Sequence, residues 1–245
     1  MEPDIISELQ GDMLFYPTAG SDWEGFLLPF AQIVKRFVFA DLAYQFTDNN
    51  LARFPSAPAY RLIEERLIGP RESVLETSWG FRNIDPGWLV RSYVNDQHVP
   101  LEVTFRRGFG QYALREIEDG AIKVFVHRGD SAGDGGSNVS FFRDYASDHP
   151  PCGHLLTTLS QKLSPSALII TDGSNTWNFL AKFHRRRRKV SSAEAYEEMR
   201  GKVYRLGPLS LSCVGYASPR YGPTLIWATK KRAEQRTDLE AFAGS

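Results

Sequence analysis

Four segments of the chain concentrate the residue types that bind or transform polar ligands: Thr18–Asp22, Asp41–Thr47, His127–Asn138 and Asp172–Thr176. All are rich in Gly, Ser, Asp or Asn, and each follows a short apolar run. In the first, Pro17-Thr18-Ala19-Gly20-Ser21-Asp22, one glycine supplies the freedom that lets backbone approach a ligand. Asp41 follows Gly20 by 21 positions, at the exit of the next apolar run, where a carboxylate can accept hydrogen bonds from ligand hydroxyls or cap a turn. The third segment carries four glycines, implying positive-φ turns or close backbone approach. Its Asp130, Asp134 and Ser137 could ligate a hard cation, although their spacing is not that of an EF-hand. A lid or surface loop is the plainer reading of the same residues.

Other chemistries find no support in the residue pattern. There is no Gly-x-Ser-x-Gly elbow and no Walker phosphate loop. Cys152 and Cys213 fit no zinc spacing and no disulfide framework, and Cys152 near His154 reads as a plain thiol. Arg185–Arg188, flanked by His184 and Lys189, form a dense basic run. It reads as a solvated, exposed segment or as a local contact for phosphate or an acidic partner. With 29 basic and 29 acidic residues, the chain has no global field to draw it to nucleic acid or anionic lipid.

The elements that must position these segments follow from hydrophobic periodicity. Asp12–Tyr16 and Arg36–Ala40 read as buried strands, with Trp23–Lys35 helical between them. Ser21 and Glu24 have capping-box spacing, and Pro29 complicates that helix. A second helix is predicted from about Ser56 to a stop at Gly69-Pro70, then a strand over Glu72–Thr77. Leu101–Arg106 and Tyr112–Ile117 flank Gly108 and Gly110 and predict an inserted antiparallel hairpin. Ala121–Val126 is a strand, adjacent and parallel to the first. Leu155–Leu163 is a helix and Ala167–Thr171 a strand. Ala193–Arg200 is a helix with Ser191 and Glu194 spaced as a capping box. Leu209–Tyr216 and Thr224–Lys230 must pair antiparallel, because their link is too short for a parallel crossover.

The expected fold is therefore one α/β domain over residues 1–245, with a doubly wound, mostly parallel sheet, an inserted hairpin and a C-terminal antiparallel hairpin. In this order of elements the chain resembles the class I S-adenosylmethionine-dependent methyltransferases, which are Rossmann-like. The resemblance implies a cofactor site at Thr18, Ala19, Gly20, Ser21 and Asp22, where the family has its glycine-rich motif. It implies that Asp41 holds the ribose hydroxyls of S-adenosylmethionine and that Asp130 faces the methyl acceptor. No Pro-Pro-Tyr or Pro-Pro-Phe follows an Asp or Asn here, so methylation of base amino groups is not indicated. Two other readings stand beside a methyltransferase of unspecified acceptor. One is a non-catalytic Rossmann-like binding or interaction protein; the other is a metal-assisted hydrolase using His127–Asn138.

At 245 residues with 42% hydrophobic content, the chain can bury a substantial core. No apolar run approaches the roughly 20 residues that span a bilayer. The opening Met-Glu-Pro-Asp lacks the basic and apolar regions of a signal peptide, so a cytoplasmic location is expected.

Overall fold

The computed structural model describes residues 3–47, 51, 60–72, 85–127, 155–171, 190–206, 208–217 and 224–231. Among them, ten strands join in one sheet: β1 (Met13–Pro17), β2 (Arg36–Asp41), β3 (Tyr60–Ile68), β4 (Gly87–Asn95), β5 (Pro100–Arg107), β6 (Ile122–His127), β7 (Leu163–Thr171), β8 (Val203–Leu206), β9 (Leu209–Ala217) and β10 (Thr224–Lys231). Their order across the sheet is β3-β4-β5-β2-β1-β6-β7-β10-β9-β8. The helices are α1 (Pro3–Glu8), α2 (Glu24–Phe30), α3 (Gly110–Glu116), α4 (Leu155–Lys162) and α5 (Ser192–Met199).

The central strands are buried on both sides because apolar residues occupy both faces of the pleat. In β1, Met13 and Phe15 join one core while Leu14 and Tyr16 join the other. In β7, Ala167 and Ile169 divide from Leu168 and Ile170 in the same way. Leu114 of α3, Leu159 of α4 and Met199 of α5 close the first core. Trp23 and Leu27 close the second, where the Trp23 ring meets Phe105 edge-on with centroids 5.0 Å apart.

The doubly wound, mostly parallel sheet expected from the sequence does not form; the sheet is mixed. Antiparallel ladders outnumber parallel ones by five to four. Parallel pairing is confined to β5-β2-β1-β6-β7, and antiparallel strands extend both sides of it. The largest single cause is Tyr60–Ile68, predicted helical and found as β3. Its Glu64, Glu65 and Arg66 suit a helix, but pairing along β4 satisfies backbone groups of both strands. Tyr112–Ile117 errs the other way. Ala113, Leu114 and Ile117 are buried at helical spacing, and Gly110–Glu116 forms α3. The antiparallel partner of β5 is β4 instead.

Other expectations hold. β1 and β6 are adjacent and parallel, with Leu14 opposite Val124. β9 and β10 pair antiparallel, and the capping box at Ser191 and Glu194 forms. The box at Ser21 and Glu24 does not form. Burial of Trp23 draws the chain through i to i−3 turns into a short α2 that contains Pro29. The strand predicted at Glu72–Thr77 lies outside the described residues beyond Glu72.

Candidate ligand site at the carboxyl edge of the sheet

From β1 the parallel strands advance outward through β2 to β5, and the chain then returns to place β6 and β7 on the other side of β1. The order therefore reverses between β1 and β6. At such a switch point the loops leaving adjacent strands separate and open a crevice beyond the carboxyl ends. Residues 17–22, 41–43, 107–108, 127 and 171 stand at this edge.

Asp41 organises it. One carboxylate oxygen accepts the Gly20 N–H at 2.9 Å, and the other accepts the Ala43 N–H at 2.8 Å. Its own carbonyl accepts the Gly108 N–H at 3.0 Å. One residue thus ties together the exits of β1, β2 and β5. The β1 loop reaches it through two left-handed residues, Thr18 at φ 54° and Gly20 at φ 52°. That conformation suits Gly20 and is uncommon for a β-branched threonine. Thr18 is buried, and its hydroxyl donates to the Pro17 carbonyl at 2.6 Å.

The loop amides face inward. Ala19 N–H donates to the Ala40 carbonyl at 3.0 Å, and Asp22 N–H to the Ala19 carbonyl at 2.9 Å. With Gly20 bound to Asp41, three of the amides expected to greet a ligand are committed to the protein. Of the proposed cofactor residues, Gly20 and Asp41 are in direct contact, Thr18 and Ala19 are buried beneath them, and Ser21 is exposed. Arg128–Asn138 with Asp130, Cys152, Asp172–Thr176 and Arg185–Arg188 lie outside the described residues.

Arg107 supports the same edge from below and went unnoticed in the sequence. Its guanidinium is fully buried and donates to the carbonyls of Pro70 at 2.6 Å, Asp85 at 2.8 Å and Arg71 at 3.1 Å. It also lies over the Phe46 ring, 4.8 Å from the centroid. Burial pulls its pKa below the usual arginine value, against the opposing charge of Asp85. Neighbouring Arg106 pairs with Glu116 at 2.8 Å and covers the Trp88 ring at 4.7 Å.

His127 is a second residue whose setting the sequence did not disclose. Read there as the first residue of a polar loop, it is the buried last residue of β6, opposite Thr171 of β7. Burial pushes its pKa down from 6.5 to about 3. The unfolded chain therefore takes up the proton first as pH falls. The contribution of His127 to stability is complete above about pH 6.5 and should decline by about 1.4 kcal/mol per unit toward pH 3. Urea midpoints at pH 7 and pH 5 check this: His127→Phe should lack about 2 kcal/mol of the wild-type decline. Equal declines in the two proteins would show that His127 is protonated in the fold.

No three His, Cys, Asp or Glu residues among those described converge as a metal site. The Cys213 thiol is buried and raised to about 11, which leaves it protonated and unreactive near neutrality. A shallow cleft of about 520 Å³ lies at the opposite edge, between Ser7–Gln10, Pro165–Ser166 and Lys230, away from Asp41. No helix among the described residues is long and apolar enough to cross a membrane. No protein-family model and no curated protein matches the chain.

Proposed function

We propose that the chain binds S-adenosylmethionine beyond the carboxyl ends of β1 and β2 and transfers its methyl group to an acceptor. The inward turn of the β1-loop amides carries this reading. A dinucleotide needs outward N–H groups to hold its pyrophosphate, and Ala19, Gly20 and Asp22 donate elsewhere. That favours a nucleoside cofactor without phosphate, recognised through its hydroxyls. Asp41 suits this task, since a carboxylate offers about four acceptor positions and can hold both loops while accepting from a vicinal diol. When bound, the cofactor supplies an electrophilic methyl group. The protein's part is to fix its position, with Asp130 proposed to face the acceptor from the segment that follows β6.

A second reading, a non-catalytic binding or interaction protein, draws on the same bonds. Holding Gly20 and Ala43 is by itself a sufficient structural role for Asp41. Calorimetric titration separates the two. S-adenosylmethionine and S-adenosylhomocysteine should both bind, and NAD should not. Absence of binding to either sulfur cofactor at millimolar concentration would end the methyltransferase reading and leave the second.

A further inference from the structure

The two edges of the sheet differ. Among the described residues, β8 closes one with four residues, whereas β3 forms the other with nine, a length of about 30 Å. Long edge strands present a row of backbone donors and acceptors to any strand that approaches, and proteins usually blunt them. β3 instead exposes apolar side chains: Leu62 is 47% exposed, Ile63 63% and Ile68 46%. A bulge at Ile63, between the pairs Leu62–Tyr93 and Glu64–Ser92, leaves both Leu62 and Ile63 in solvent. Between these apolar ends stand Glu64, Glu65 and Arg66. Glu65 is bound to Arg91 of β4 at 2.8 Å, while Glu64 and Arg66 form no ion pair among the described residues.

We propose that β3 pairs antiparallel with β3 of a second copy of this chain, about a two-fold axis at Glu65, to join two sheets into one. The sequence of the strand is self-complementary in that register. Glu64 of each copy stands opposite Arg66 of the other, giving two ion pairs by symmetry. Leu67 meets the Leu62–Ile63 bulge of the other copy, so apolar groups at both ends are covered. The two Glu65 carboxylates come together on the axis, each already neutralised by its own Arg91. A slip of two residues would set Glu64 against its own copy in one direction and Arg66 against its own copy in the other, and a slip of one would set side chains of opposite faces against each other. Like charges directly opposite are unfavourable, so the charges select the register.

Sedimentation equilibrium of the full chain across micromolar to submillimolar concentration tests the proposal. Wild type should approach twice the 27.7 kDa chain mass. Glu64→Arg and Arg66→Glu should each weaken the dimer by about tenfold or more, since each sets like charges opposite at two symmetric places. The double variant, Glu64→Arg with Arg66→Glu, rebuilds both pairs in reversed order and should restore the dimer. Circular dichroism of each variant confirms folding, which these exposed positions should leave intact. A monomeric wild type, a dimer indifferent to single reversals, or a double variant as weak as the singles would each overturn the pairing. Cofactor titration is a separate readout, so this result and that of the proposed function are independent.

Discussion

Replacing Arg107 by alanine is expected to lower the melting temperature by roughly 10 °C, at about 2–4 °C per kcal/mol for a chain of this size. The side chain donates to four carbonyls on three segments far apart in sequence: Tyr44 after β2 at 3.4 Å, Pro70 and Arg71 after β3, and Asp85 before β4. Alanine would leave those carbonyls without their charged donor and open a void against Phe46. Hydrogen bonds from charged groups contribute about 1.5–3 kcal/mol each, and loss of a buried charged partner typically costs about 3–5 kcal/mol in all. Arg107→Lys keeps the charge but cannot reproduce the planar fork, so it should fall between wild type and alanine. Thermal melts of the three proteins provide the measurement. A shift of only a degree or two in the alanine variant would mean that water replaces the guanidinium. Arg107 would then not hold the edge together.

Asp41→Ala should weaken S-adenosylmethionine binding by about tenfold or more, because bonds from ligand hydroxyls to a carboxylate are charge-assisted. It should also reduce stability by about 1–3 kcal/mol, the range for depriving backbone donors of an acceptor. That second effect comes from Gly20 and Ala43, whose amides Asp41 holds, so the position is more than a loop-end ligand contact. Asp41→Asn retains the shape and one oxygen acceptor, and should recover part of the stability while binding cofactor weakly. Gly20→Val should impair binding as well, because a β-branched residue is strained at φ 52°. Titration calorimetry with parallel urea melts reads both quantities. Cofactor affinity unchanged in folded Asp41→Ala would remove Asp41 from the binding site and confine it to loop closure.

The positions of β1, β2, β6, β7, β9 and β10 were legible from residue order alone. All but β9 are compact apolar runs bounded by polar or turn residues, the signature of strands buried on both faces, whereas β9 shows the alternation of a half-buried strand. The short link from β9 to β10 determined their direction, since chain length forbids a parallel crossover. The box at Ser191 and Glu194 was local enough to hold, because both partners lie within one helical turn. Gly20 and Asp41 were legible as candidates because glycine and acid at strand exits are local features too.

What tertiary structure decided was everything whose energy comes from distant partners. β3 and the helix-like pattern of its residues could not be separated until β4 was beside it, because pairing and not propensity sets the state of an edge strand. That choice, with the partners it gave β4 and β5, made the sheet mixed. Ser21 lost its capping role to the burial of Trp23, a core contact with Phe105 more than eighty positions away. Arg107 and His127 look in sequence like a surface cation and a loop histidine. Carbonyls gathered from three segments make the first a buried clamp, and enclosure at the end of β6 makes the second a neutral core group. Charge type and spacing belong to the residues themselves, whereas burial depends on which distant segments the fold brings against them.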